Sequence, residues 1–408
     1  MEGPRATNER NGVSRINELE NVVRVYEAAS RAGRVAALAS VVSVRGSTYR
    51  RIGAHMLMTE DGEVTGAISG GCLDRDVHRH AMWVMQSGRP QHLVYDSTDD
   101  EDSEERFSLG CNGVVGVLVE RLLPGDGYMA FVATCLRGPQ SGVVATVFPS
   151  GRDAPIAAPS RVLWCPGTEA RTLGVKDAQL RWLLVEGARS VLAAGASSAR
   201  TFDTVAGRVT VCFEIVGPPP RVAIFGGGDD AVPVAAMAKA LGAKVIVVDP
   251  RPGQATRIRF PNADRLMAAE PQTAVDLLGL HGNSLALVMN HNYPQDLAAL
   301  GALLPTPIRY LGVLGPKRRT ARLLADLAAR GVVATDAQLA RIYGPVGLDI
   351  GAETPDEVAL AFVAEMKAVL AGRRGGSSRE RTGTLHERTD PIRDLPCPQQ
   401  LETTRAAA

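Results

Sequence analysis

The chain of 408 residues contains no apolar run approaching the roughly 20 residues needed to cross a bilayer. Its opening, MEGPRATNERNG, lacks the apolar core of a signal peptide, so a cytoplasmic location without a membrane span is expected. It also lacks an excess of either charge. The 45 Lys and Arg stand against 44 Asp and Glu, for a net charge of +1, which removes the electrostatic argument for a nucleic-acid partner. Cysteine is scarce: six residues, at 72, 111, 135, 165, 212 and 397, include no CxxC pair. That spacing argues against a disulfide scaffold and against a structural zinc site. Reduced thiols are expected.

What is present is 45% hydrophobic and 22% charged, the composition of a globular protein long enough for two or three domains. A polar start at 1–13 is expected to be disordered. The domain at 14–126 begins with a helical pattern (Ile16, Leu19, Val23, Tyr26) closed by Gly33, followed by the apolar strand VAALASVVSV. HMLMT and EVTGAIS then flank Glu60-Asp61-Gly62 as a hairpin. Leu73, Val77, Ala81 and Val84 share one helical face that Gly88 terminates, so Cys72 is expected at a helix N-terminus. Residues 127–215 read as a smaller β-rich segment, with YMAFVATCL and GVVATVF as strands. The proline run at 216–221 reads as a linker.

From 222 to 372 strands and helices alternate. RVAIF precedes GGGDDA at 226–231, a match to G-x-G-x-x-A, and after a helix the strand KVIVVD ends at Asp249. Asp249 lies about 20 residues beyond Gly228, the separation at which an acidic residue meets a ribose hydroxyl in dinucleotide-binding folds. In that reading Gly226 permits the tight turn and Gly228 admits a pyrophosphate, while Asp229 and Asp230 repel one unless they cap the helix. LALVMN, RYLGVLG and the helix capped by Thr354-Pro355-Asp356-Glu357 continue the alternation. The fold class expected is α/β: an N-terminal α+β cysteine-bearing domain, then a Rossmann-like doubly wound parallel sheet. The composition of 373–408 predicts a disordered tail.

Six blocks carry a resemblance: GSTYRRIGAHMLMTEDGEVTGAISGGCLDRDV, LGCNGVVGVLVE, FGGGDDAVPVAAMAKALGAKVIVVDPRP, VMNHNYPQDLAALGALL, RYLGVLGPKRRTARL and GPVGLDIGAETPDEVALAF. In this order they are similar to the XdhC/CoxI family of molybdenum hydroxylase maturation factors, from about residue 15 to 370. The resemblance implies a chaperone rather than a turnover enzyme. Such a protein binds molybdenum cofactor (molybdopterin), protects it, and helps its sulfuration and delivery to an apo molybdenum hydroxylase such as xanthine or carbon monoxide dehydrogenase. It further implies a cysteine desulfurase as partner and self-association as a homodimer. It assigns no role to 127–215.

Under that resemblance, the glycines at 70, 71, 110 and 113 bare Cys72 and Cys111 so that a bulky ligand, molybdenum included, reaches their sulfurs. A helix N-terminus favours the thiolate of Cys72, a soft ligand. Arg45, Arg50 and Arg51 around Gly46-Ser47-Thr48 offer cations to the cofactor phosphate. His291, after LALVMN, stands where open α/β sheets place ligands. His78 and His80 read as surface residues, Cys135, Cys165 and Cys212 as small buried hydrophobes, Asp349 as a turn or ligand residue, and DDEDSEE at 99–105 as a solvated loop. Two other classes fit: an NAD(P)-dependent oxidoreductase using the glycine turn with Cys72 or His291, and a thiol redox protein pairing Cys72 with Cys111.

Overall fold

The computed structural model describes residues 15–46, 48–71, 73–97, 113–149, 159–204 and 207–380. The expected disordered start and most of the expected tail lie outside the described residues. The chain forms two compact units, Glu18–Pro218 and Pro219–Glu380.

The first unit opens with α1 (Arg15–Arg31), β1 (Ala36–Gly46), β2 (His55–Thr59), β3 (Val64–Gly66), α2 (Asp74–Ser87), β4 (Gln91–Asp96) and β5 (Gly113–Leu122). The strands make an antiparallel sheet in the order β3-β2-β1-β5-β4. It continues with α3 (Gly127–Arg137), β6 (Gly142–Pro149), β7 (Ser160–Trp164), β8 (Arg171–Leu173), α4 (Ala178–Ala194), β9 (Ser198–Thr204) and β10 (Gly207–Val216). These strands form a second antiparallel sheet, β8-β7-β6-β10-β9. Element order and strand order are the same in both halves. The segment 127–215 is a topological repeat of the segment before it.

This repeat corrects one expectation. YMAFVATCL is not a strand but most of α3, capped by the Asp126 carboxylate, which accepts from the Tyr128 and Met129 N–H groups. Tyr128, Met129, Phe131, Val132, Cys135 and Leu136 are all buried, so the helix is apolar nearly all round and its period vanishes from the sequence.

The strand β1 reads as an unbroken apolar run because both its faces are covered. Ala37, Ala39 and Val41 lie under α2, whose Val77, Ala81 and Val84 complete that core. Leu38, on the other face, joins Leu57, Leu122, Val144, Leu163 and Val216 between the two sheets. The sheets are also joined by two buried polar bridges. The Ser40 hydroxyl meets His55 Nδ1 at 2.9 Å, and His55 Nε2 meets Glu214 at 2.8 Å. In the mirror position Arg161 Nε donates to Thr146 Oγ1 at 3.2 Å and Arg161 Nη2 pairs with Glu120. Ser40 faces His55 across β1 and β2 as Thr146 faces Arg161 across β6 and β7, and Leu38 faces Glu120 as Val144 faces Glu214. Ser40–His55–Glu214 has the composition of a catalytic triad, but its counterpart performs the same bridging without an imidazole. All six residues are buried, and the arrangement is structural.

The second unit contains β11 (Arg221–Phe225), α5 (Ala231–Ala240), β12 (Lys244–Val248), β13 (Arg265–Met267), α6 (Pro271–Leu278), β14 (Ser284–Val288), α7 (Tyr293–Leu303), β15 (Tyr310–Val313), α8 (Lys317–Ala329), α9 (Asp336–Leu339), β16 (Ile342–Tyr343) and α10 (Pro355–Leu370). Its six strands are all parallel, in the order β13-β12-β11-β14-β15-β16, the doubly wound arrangement expected. Residues of α5 and α10 fill the core on one face, and those of α6, α7 and α8 fill the other. The strand order reverses between β11 and β14, which is where ligands enter such sheets.

Candidate functional site

The topology of the first sheet gathers three connections at one end. β1 finishes there with Gly46 opposite Gly113, where β5 begins; β2 starts there, and β3 and β4 both finish there. The connections β1–β2, β3–α2 and β4–β5 carry GSTYRR, AISGGC and SLGCNG respectively. Cys72 and Cys111 themselves lie outside the described residues, as does Ser47. The residues on either side of Ser47 and Cys72 are described, whereas all of 98–112, which holds Cys111, lies outside the described residues.

Ser69 organises the turn before α2. Its hydroxyl accepts from the N–H of Gly71 at 3.0 Å and of Leu73 at 3.1 Å, and donates to Asp74 Oδ1 at 2.8 Å. Gly71 has φ +113°, a backbone conformation that side-chain-bearing residues rarely adopt. The dipole of α2 favours an anion at this end, whereas Asp74 and Asp76 in its first turn oppose one. A Cβ built on Gly70 would touch the Tyr49 ring at 3.8 Å, so the β1–β2 and β3–α2 connections meet. Tyr49 is 72% exposed. It was passed over in the sequence although it sits inside GSTYRR; an aromatic in a Gly- and Arg-rich loop was the available signal.

The three arginines of that loop separate. Arg45 is exposed. Arg50 is committed to the fold, its two terminal nitrogens donating to the Glu18 carboxylate at 3.0 and 2.5 Å. Arg51 is half-buried, its Nε has no hydrogen-bond partner, and burial pulls its guanidinium below the usual arginine pKa. An orphaned buried donor suits an anionic ligand; Arg50 Nε is orphaned as well, but its terminal nitrogens are already held by Glu18.

The repeat sharpens the assignment, because the halves differ at this end. The β3–α2 connection runs from Ala67 to Leu73, against Gly174 to Asp177 in the second half. The chain from Asp96 to Gly113 corresponds to the short turn from Thr204 to Gly207. Both cysteine-bearing connections are therefore additions to a shared framework.

The second locus is the C-terminal end of the parallel sheet. Gly226 has φ +120°, and a Cβ there would fall 2.4 Å from the Met289 carbonyl oxygen, so only glycine fits between β11 and β14. Asp249 is fully buried and its carboxylate is filled by protein donors: Gly227 N–H at 2.7 Å, and Arg251 N, Nε and Nη2 at 2.9, 3.0 and 2.6 Å. Burial raises its pKa, but these donors outweigh burial and hold it below the usual carboxylate value. The residue expected at a ribose hydroxyl is thus spent on tying β12 to the glycine turn. Asp229 pairs with Arg259 at 2.8 Å. Asp230, just before α5, meets His291 Nε2 at 2.7 Å across the point where strand order reverses. A Cβ on Gly228 would lie 3.9 Å from His291 Cδ2, so this pair stands directly beside the glycine turn.

His291 has φ +54°, the one non-glycine residue with positive φ among the described residues. The buried Asn290 before it is fastened to Asp296 Oδ1 through its N–H and its side-chain amide, both at 3.0 Å. Arg319 closes on the other Asp296 oxygen at 2.7 Å. Asp349 is exposed. Among the described residues no group of three or more His, Cys, Asp or Glu could hold a metal ion, and no helix is long and apolar enough to cross a membrane.

Comparison with known proteins places both loci in one lineage. Residues 29–96 match the XdhC and CoxI family and residues 222–366 match the XdhC Rossmann domain. A protein of Bacillus subtilis, named as a probable xanthine dehydrogenase subunit, is 31% identical over 333 residues, covering 81% of this chain and 92% of that one. "Molybdenum cofactor insertion chaperone PaoD" of Escherichia coli is 35% identical over 74 residues, 18% of this chain and 23% of its own. A crystal structure described as a xanthine dehydrogenase from Bacillus halodurans is 28% identical, with a TM-score of 0.68 over 88% of this chain and 98% of that one. The chain belongs to the XdhC/CoxI family.

Proposed function

We propose that the protein is a molybdenum cofactor-binding maturation factor that protects the cofactor and helps its sulfuration and insertion into a molybdenum hydroxylase such as xanthine or carbon monoxide dehydrogenase. The observation that carries this reading is that the three family loops all connect elements at one end of the first sheet, the two cysteine-bearing ones being longer than their counterparts in the second half of the same unit. Cys72 and Cys111 offer soft thiolates to the metal, Gly70, Gly71 and Gly113 leave backbone bare for close approach, and Arg45 and Arg51 face the phosphate. The exposed Tyr49 ring beside Gly70 is a surface for the planar pterin. The cofactor, once in the client, supplies the metal centre at which the client's reaction occurs. The apo-hydroxylase receives it and a cysteine desulfurase supplies the sulfur.

The NAD(P)-linked alternative draws no support from the glycine turn. A dinucleotide needs the acidic residue after the second strand for ribose and an unblocked helix N-terminus for pyrophosphate. Asp249 is saturated by Gly227 and Arg251, and the Asp230 carboxylate stands before α5.

The test is a titration of the purified protein, in parallel, with cofactor released anaerobically from a donor enzyme, with NADH and with NADPH. The expected result is retention of cofactor through gel filtration, weakened in Cys72→Ala and Cys111→Ala variants that remain folded. Nucleotide binding without cofactor binding sinks the proposal, and unchanged retention in both variants sinks its thiol component.

A further inference from the structure

Two cysteines read from the sequence as small buried hydrophobes lie against each other in the second half of the first unit, and one of them, Cys165, is only partly buried. Cys135, in the last turn of α3, and Cys165, directly after β7, bring their sulfurs to 3.8 Å. Both are free thiols. Gly142, the first residue of β6, is what leaves room for the pair: a Cβ there would lie 2.7 Å from Cys165 Sγ and 2.8 Å from Cys135 Sγ. The two thiols are not equivalent. Cys135 is 2% exposed, whereas Cys165 is partly open to solvent. Burial, and then the neighbouring Cys165, push the Cys135 thiol up to about 12.

We propose that Cys135 and Cys165 form a redox-active dithiol, a modification site separate from Cys72 and Cys111, that is oxidised to an intramolecular disulfide by low-molecular-weight disulfides such as oxidised glutathione. Cys165, the accessible partner, attacks as thiolate on one glutathione sulfur, forming a mixed disulfide and releasing one glutathione thiolate. Cys135 then loses its proton to solvent and attacks the Cys165 sulfur, expelling the second glutathione. Two protein thiols and one oxidised glutathione become one protein disulfide and two reduced glutathiones. The sulfurs must close from 3.8 Å to about 2 Å, a movement within reach of side-chain rotation. The bond staples the end of α3 to the end of β7. A protein handling reactive sulfur gains from this arrangement a second pair of thiols that records the redox state without consuming its ligand cysteines.

The test uses the full chain carrying Cys72→Ser and Cys111→Ser, so that the pair itself is unaltered. After incubation with oxidised glutathione, peptide mapping by mass spectrometry is expected to find one linked peptide joining Cys135 to Cys165, lighter by two hydrogens, and two fewer titratable thiols, all reversed by dithiothreitol. Free thiols at both positions, a persistent glutathione adduct on Cys165, or linkage of either residue to Cys212 or Cys397 overturns the proposal. The order of attack is read from single variants. Cys135→Ser should stop at the Cys165–glutathione adduct, and Cys165→Ser should leave Cys135 unmodified; a Cys135 adduct in that variant overturns the assignment of Cys165 as the attacking thiol.

Discussion

His55 on β2 and Glu214 on β10 meet at 2.8 Å between the two sheets, and Arg161 on β7 meets Glu120 on β5 by the same relation with the halves exchanged. The two sheets are therefore held as a pseudo-symmetric pair. Arg161 is buried and also lies over the Tyr128 ring, 4.4 Å from its centroid. Burial works against its charge, and Glu120 more than offsets burial, raising the guanidinium above its ordinary pKa.

Removing one member of the Arg161–Glu120 bridge leaves a charge buried without compensation. Glu120→Ala is expected to cost about 3–5 kcal/mol. Glu214→Ala removes one buried hydrogen-bond partner of His55, which keeps its contact with Ser40, and should cost less, about 1–3 kcal/mol. Urea unfolding of the first unit checks the order of the two losses.

Arg50 and Arg51 are adjacent and should respond oppositely. Arg50→Ala breaks the half-buried pair with Glu18 and is expected to lower stability by about 1 kcal/mol. Arg51→Ala removes an orphaned buried donor, so thermal stability should hold or rise while cofactor retention falls and becomes less sensitive to salt. Equal retention in Arg51→Ala and the parent protein would remove Arg51 from the site.

The strain at His291 is separable from its chemistry. His291→Gly relieves the left-handed backbone and His291→Ala does not, so the glycine variant is expected to be the more stable by about 1 kcal/mol. Both lose the contact with Asp230. If His291 touches a ligand through its ring, both variants should bind that ligand equally poorly in a titration, despite their different stabilities.

Asp249 supplies a pH signature. Its folded pKa lies below its unfolded value, so its contribution is complete above the unfolded value of about 3.9 and is lost as pH falls through the folded pKa. On acidification the unfolded state binds the proton first. The urea midpoint of the second unit should therefore drop as pH falls below the unfolded value of about 3.9 in the parent protein, and drop less in Asp249→Asn.

Much of this was legible locally. The αL glycine after α2 at Gly88, the hairpin around Asp61-Gly62, the capping box at Thr354 and the alternation from β11 onward all rest on contacts within a few residues, and they stand in the structure where the sequence placed them. The helix α3 was missed because its exposed face carries Ala130 and only one polar residue, Thr134, before the closing Arg137, so an apolar run hides the period that distinguishes helix from strand.

The sequence by itself determined the order β11, α5, β12, β14, α7, β15, α8 and α10 in the parallel-sheet unit but not β13, α6, α9 or β16, together with the glycine turn at 226–231 and the family to which six ordered blocks point. Only the tertiary structure decided that 127–215 repeats the half before it, that Arg50 belongs to Glu18 and Asp249 to the glycine turn, and that Cys135 and Cys165 are neighbours. The physical reason is range. Caps, turns and periodicity are fixed by residues three or four positions apart, whereas which charge is consumed, and which is left for a ligand, depends on partners that chain folding brings from far along the sequence.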